Sequence, residues 1–376
     1  MSEPIRVLHI LQRMEAAGVQ NLLMSIYRNI DRTKVQFDFL VHYEEDQFFD
    51  QEIECMGGKI YKLSVREDYN LVKYWKELRT FFQTHPEYKI VHGHMPVLGY
   101  LYFSAAKKAG VPVRIAHAHT DGYNKSLKGY VKHWLQSLYY VKANEYFACA
   151  EAAGKYFFGD KRKFSVIPNA ITTDNFVYNP GMRKQKRELL NIEDQLVIGH
   201  AARFALHKNH DFLIDVFYEI HQMRSNSVLL LAGDGELRGT IEAKVEKLGL
   251  KESVRFLGVR NDINELYQAM DAFVFPSIFE GLGIVNIEAQ ASGLMTFCSD
   301  RVPQEANISP LFVSIPLADG AKNWAEIIVD KCEHRGKRCD MSQYVIDAGY
   351  DARSLSNEMM HFYLQKDKEV QMLCNK

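Results

Sequence analysis

Two acids bracket the stretch Glu280-Gly-Leu-Gly-Ile-Val-Asn-Ile-Glu288, and their spacing suits one ligand held at both ends. An ionised carboxylate only accepts hydrogen bonds, so Glu280 and Glu288 each suit a vicinal diol or a sugar hydroxyl. If residues 283–288 are helical, the rise is roughly 8 Å at ~1.5 Å per residue, about the reach of a nucleoside diphosphate from ribose towards sugar. Taken alone, Glu280 reads as a solvated loop acid and Glu288 as the exposed face of a helix. The residues around them change that reading.

The apolar run 272–275 ends at Pro276, which has no amide to continue a ladder, so it reads as a short buried strand closing into a turn. Gly281 and Gly283 allow close approach of backbone, and from Ile284 the pattern is helical until the pair Ser292-Gly293. A strand, a glycine-bearing loop and a helix start make an anion site. The free amides and the positive dipole end of that helix would face outward, where a phosphate could sit.

These residues resemble the signature of retaining glycosyltransferases of family 4, whose fold is the two-domain GT-B type. The resemblance implies that Glu288 holds the donor ribose, that Glu280 lies near the transferred sugar, and that the amides of Gly283, Ile284 and Val285 meet sugar and phosphate. The run Arg203-Phe-Ala-Leu-His-Lys208 is similar to the family's donor-diphosphate loop, with Arg203 and Lys208 in its basic positions. Two cations with helix amides could neutralise the roughly two charges of a diphosphate. The same resemblance puts the base near the Gly258-Val259 turn, and His119, in Ala-His-Ala-His-Thr-Asp, near the hexose. It also puts the turn at Gly18 against the donor, although Val19-Gln20 follows where the family often has Glu, and it gives little weight to Glu305.

The whole chain fits that scale. At 376 residues it accommodates two domains with full cores. With 46 Lys+Arg against 47 Asp+Glu there is no global field, so nucleic acid is not an expected partner and any charged partner must meet a local patch. Cys55, Cys149, Cys298, Cys332, Cys339 and Cys374 are scattered without a Cys-x-x-Cys pair, which suits reduced thiols in a cytoplasm. The N-terminal segment does not read as a secretory signal, and no apolar run approaches the ~20 residues that span a bilayer. There is no full dinucleotide fingerprint and no Gly-Lys-Ser/Thr loop, which weakens NAD and ATP readings. Asp-x-Asp is absent too, so no cofactor and no metal is expected, only a nucleotide sugar as co-substrate, most simply a UDP-linked one given the resemblance.

Strand patterns at 5–11, 37–42, 59–62, 89–92, 113–118 and 145–149 alternate with helical ones at 19–30, 71–84 and 99–109. A second alternating set begins at 196–202 and continues through 227–232, 254–257 and 272–275. Such alternation argues for two α/β Rossmann-like domains with doubly wound parallel sheets, and the resemblance adds an interdomain cleft. We expect the first domain over 1–180, the second over 195–350, a crossing near 175–195, and a helix at 351–376 returning to the first domain.

Three readings stay open beside this one. His92, His94, His117 and His119 form two His-x-His pairs, which with Asp121 could serve a metal-dependent hydrolase. A protein that binds sugar nucleotides without turnover would share every donor residue. Finally, 122–142 carries Lys125, Lys128, Lys132 and Lys142 beside an apolar stripe. It is either a domain helix with a solvated basic face or a helix lying on anionic lipid at the inner face of the cell membrane, where a lipid-linked glycan acceptor would be met.

Overall fold

The computed structural model describes residues 3–15, 18–63, 70–119 and 138–374. The chain forms two units, one of residues 1–171 with 352–376 and one of residues 172–351. In the first, β1 (Ile5–Ile10), β2 (Val35–Val41), β3 (Ile60–Lys62), β4 (Ile90–Gly93), β5 (Val113–Ala118), β6 (Glu145–Ala148) and β7 (Ser165–Val166) make a sheet of order β3-β2-β1-β4-β5-β6-β7. Every pairing is parallel.

Successive residues of these strands serve opposite cores, which is why the runs read as almost continuously apolar. Val7 packs with Phe37 and Ile115 on one face, and Leu8 with Leu40 and Val91 on the other. The helix Ala352–Cys374 belongs to the first of these cores through Leu355, Met359 and Tyr363.

The second unit repeats the plan with β8 (Leu196–Ala201), β9 (Ser227–Ala232), β10 (Val254–Gly258), β11 (Ala272–Phe275), β12 (Met295–Ser299) and β13 (Phe312–Ile315), in the order β10-β9-β8-β11-β12-β13. Pairing is again parallel throughout. The chain builds outward from β8 to β10, then returns to place β11 on the other side of β8. That reversal opens a crevice at the carboxyl ends of β8 and β11, where ligands of open α/β sheets bind.

The crossing falls between Ile171 and Thr172, earlier than the expected 175–195, and the charged run 183–188 is not a linker. Residues Pro180–Leu190 form a helix started by Asn179, whose Oδ1 accepts from Met182 N at 3.0 Å, with Pro180 in its first turn. Three of its cations, Arg183, Lys186 and Arg187, face inward, while Lys184 stays exposed. Arg183 meets Asp271 at 2.6 Å, and Lys186 meets both Asp262 and Glu265 at 2.6 Å. These bonds bind the helix to the second unit.

Among the described residues no helix is long and apolar enough to cross a membrane. Most of the basic stretch proposed for lipid contact, 122–137, lies outside the described residues, as does Asp121.

Candidate functional site

Two loops at the carboxyl ends of neighbouring strands carry the charged residues singled out above. The loop after β8 holds Arg203 and Lys208, and the loop after β11 holds Glu280. Backbone and side chain tie the loops together: Ile278 N donates to His207 O at 2.8 Å, and Asn209 Nδ2 donates to Pro276 O at 3.0 Å. Lys208 Nζ consequently bonds Glu280 Oε1, which also accepts from Ser277 Oγ at 3.1 Å. The ammonium lies 5.0 Å from the centre of the Phe275 ring. With Lys208 17% and Glu280 9% exposed, this pair is shielded from solvent in a way a surface pair is not.

Arg203 is placed differently. Its side chain is 73% exposed and 3.2 Å from Glu236, so the two basic residues expected to act as one clamp do not converge here. Burial explains the difference, because Arg203 leaves β8 at the rim while Lys208 turns back over Phe275.

The helix Ile284–Ala291 starts at Gly283, which has φ +71°. A Cβ on Gly283 would come within 2.7 Å of Asn286 Nδ2 and 3.2 Å of Phe275 Cε1, so a glycine is required on both counts. The helix then runs to Glu288, beside a cavity of about 470 Å³ lined by Ala201, Ala202, Ala232, Gly233, Val259, Arg260, Asn261, Ile263, Asn264, Val285 and Glu288, with Asn175 and Phe176. Of the expected residues, Val259, Val285 and Glu288 thus share one cavity. Its floor is close backbone packing, since Gly233 (φ +134°) sits where a Cβ would be 2.0 Å from Ala202 O.

Glu288 is a partly buried acid whose Oε2 accepts from the Tyr267 hydroxyl at 2.9 Å. Burial pushes its carboxyl up to about 7, and the Tyr267 hydrogen bond pulls weakly the other way. Sequence reasoning missed Tyr267. It also missed Asn175, Phe176, Asn261 and Asn264, which come from segments with no local motif. A cavity-facing Asn264 one turn before Tyr267 was a signal only once Glu288 was known to need a neighbour.

Gly18 and His119 belong to the first unit. Gly18 is the exposed first residue of the helix Gly18–Asn29, and Ala16 and Ala17 of its turn lie outside the described residues. His119 follows the end of β5, its Nε2 2.9 Å from His94 Nδ1, and burial lowers it to about 3, so it is neutral at physiological pH.

Comparison with known proteins fits this construction. Residues 182–310 match the family described as glycosyl transferases group 1, and residues 16–175 match Glycosyltransferase Family 4. A putative glycosyltransferase of Bacillus subtilis (strain 168), EpsF, is 32% identical over 95% of this chain and 96% of its own length. The chain belongs to the GT-B glycosyltransferases.

The glycosyltransferase is also similar to the capsular polysaccharide biosynthesis glycosyltransferase CapH of Staphylococcus aureus, 23% identical over 96% of this chain and 99% of CapH. A UDP-Gal:alpha-D-GlcNAc-diphosphoundecaprenol alpha-1,3-galactosyltransferase of Escherichia coli is 26% identical over 79% of each chain. Among solved structures, Anabaena Alr3699/HepE, crystallised with UDP, has the same fold at TM-score 0.78, 19% identity, 96% coverage of the glycosyltransferase and 100% of HepE.

Proposed function

We propose that the chain is a retaining transferase that moves a hexose or N-acetylhexosamine from a UDP-linked donor to a glycan acceptor carried on a lipid, in capsule or exopolysaccharide assembly. The observation that carries the reading is the cavity of the second unit, where the carboxyl ends of β8, β9 and β10 face Glu288 across a space of nucleoside size. Support for the donor comes from HepE, a solved neighbour of the same fold that binds UDP. Support for the lipid-linked acceptor comes from the Escherichia coli relative named for a diphosphoundecaprenol substrate.

On this reading the base lies against Val259, the ribose hydroxyls donate to Glu288, and the diphosphate meets the amides of Gly283, Ile284 and Val285 at the helix start. Lys208 stabilises the charge that grows on the departing diphosphate, with Arg203 at the rim adding to the field. Glu280 and, from the first unit, His119 orient the hexose, and the turn at Gly18 offers backbone amides. The bond between the anomeric carbon and the diphosphate oxygen breaks while the acceptor oxygen bonds that carbon on the same face. The acceptor proton passes to a phosphate oxygen. No metal is required at the diphosphate in this scheme, because Lys208 and the helix start supply the positive charge. The enzyme would work in the cytoplasm, with the basic stretch 122–142 meeting the membrane that carries the acceptor.

The decisive experiment offers the full chain a panel of labelled UDP-sugars with membrane extract, with and without chelator. Transfer that survives chelation, with the product's anomeric configuration retained by NMR, is expected. Binding without turnover would leave a sugar-nucleotide-binding protein, and an inverted product would end the same-face mechanism.

A further inference from the structure

His9 of β1, His92 of β4 with His94 just beyond it, and His117 of β5 with His119 just beyond it form one stack at the carboxyl ends of three adjacent strands. The side-chain period of two puts His92 and His94 on one face, and His117 and His119 on the same face of the next strand. We propose that His94, His117 and His119 bind a single divalent late-transition-metal ion of the zinc type. One ring nitrogen from each lies within 4.8 Å of the other two.

Two features point to an ion rather than to plain packing. Among the described residues one of the proposed ligand nitrogens, His117 Nε2, has no hydrogen-bond partner, and His117 is almost wholly buried. Such a group is normally satisfied, so it marks a place for something that accepts its lone pair. The donor set is all imidazole, which favours zinc, copper or nickel over magnesium or calcium.

The hydrogen bonds behind two of the three rings, His94 and His117, form a consistent set of tautomers. Ligation through His94 Nδ1 leaves Nε2–H to donate to His9 Nδ1, 3.0 Å away. Ligation through His117 Nε2 leaves Nδ1–H to donate to His92 Nε2 at 3.2 Å, and His92 Nδ1–H then donates to the Tyr363 hydroxyl at 2.8 Å. Metal-bound histidines are characteristically held this way through their second nitrogen. A second triplet, His9, His92 and His94, also comes within range, but it is closed off. His119 is only partly buried and gives the outer triplet a route to solvent. Nitrogens on a tetrahedral ion with bonds of ~2.05 Å stand roughly 3.4 Å apart, so His94 Nδ1 and His119 Nε2 must part slightly from their 2.9 Å. Three protein ligands leave a fourth position for water.

The test takes the full chain without a polyhistidine tag, strips it with chelator and titrates it with Zn2+ and with Co2+. We expect one ion retained per chain after dialysis, a dissociation constant below about 1 µM, and the intense visible absorption of four-coordinate Co2+. His117→Gln and the rim variant His119→Gln should each weaken binding at least about 100-fold, because losing a ligand costs no less than losing an outer-shell partner, while His361→Gln on the exposed face of the C-terminal helix should not. The Co2+ spectrum is read on the unaltered chain, so a misfolded variant cannot obscure the result. The weak spectrum of hydrated octahedral Co2+, less than stoichiometric retention, or undiminished binding by both variants would overturn the site. None of these readouts uses a sugar nucleotide, so they stand apart from the transferase reading.

Discussion

The Tyr267 hydroxyl donates to Glu288 Oε2 at 2.9 Å, joining the helix Ile263–Ala269 to the helix Ile284–Ala291 at the wall of the cavity. Burial holds this carboxyl at about 7 against an ordinary 4.5, so the folded state keeps a proton that the unfolded state has lost. A pKa raised by folding gives stability that is full below about 4.5 and is lost as pH rises to about 7. Ribose hydroxyls, in contrast, need the ionised acceptor. UDP affinity should therefore rise across the pH interval in which this part of the stability falls. At pH 6 about a tenth of Glu288 is ionised, so affinity should be about tenfold weaker than at pH 8. Calorimetry from pH 6 to 8 checks this, and Glu288→Gln should remove the pH step. A step of the same size in the Gln variant would assign it to another group.

Lys208 and Glu280 make a part-buried pair, so removing one partner has two separable effects. Lys208→Ala should reduce transfer by about 10²–10³, the scale of a lost charge-stabilising donor. It should also lower the melting temperature, because Glu280 loses its counter-charge and is left with the Ser277 hydroxyl among the described residues. Adding Glu280→Gln should restore much of the melting temperature and none of the activity. Steady-state transfer with thermal melts separates the two, and wild-type turnover in Lys208→Ala would remove the lysine from the mechanism.

These two pairs also show what a sequence reveals and what it hides. The strand, glycine and helix around Gly283 were readable because each signal is local: Pro276 ends the strand, and Gly283 takes a left-handed φ before the helix. The apolar runs of β1, β8, β9 and β11 announced parallel sheets for the same reason. The Lys208–Glu280 bond was not readable, because sheet order alone brings the loops after β8 and β11 together. The run 183–188 looked like a linker since its partners, Asp262, Glu265 and Asp271, lie far along the chain. The histidines could be placed at strand ends, but their stacking depends on the register of His9 with His92, which only pairing reveals.

Asp271 is where that helix is fastened. Its oxygens meet Arg183 Nη2 at 2.6 Å, Arg187 Nη1 at 3.1 Å and the amide of Val197 at 2.9 Å. Burial alone would raise the carboxyl, yet Arg183, Arg187 and the Val197 amide together hold it below its ordinary value. Asp271→Asn leaves guanidinium groups largely buried without their counter-charge, at a cost of about 3–5 kcal/mol. The urea midpoint should fall accordingly. Asp271 precedes β11 and the cavity lies at the opposite ends of the strands, so UDP affinity of the folded variant should be unchanged. A variant of unaltered midpoint would show that the helix is held by other contacts.

Gly233 tests whether the cavity floor matters to donor binding. At φ +134° a Cβ would lie 2.0 Å from Ala202 O, a backbone atom that cannot swing aside as a side chain can. Gly233→Ala must therefore push the exits of β8 and β9 apart, at a cost of about 1–3 kcal/mol from the strained backbone alone. Both exits line the cavity, so UDP affinity should drop with stability, by at least about tenfold for 1.4 kcal/mol lost from binding. Gly239 is the control. It lies in the helix Arg238–Lys247 with nothing within 4 Å of an added Cβ, so Gly239→Ala should stabilise by about 0.5–1 kcal/mol and leave affinity alone. Thermal melts with UDP calorimetry on both variants decide the matter. Equal affinities would mean that the donor does not rest on the strand exits, and the nucleotide would have to be placed elsewhere in the second unit.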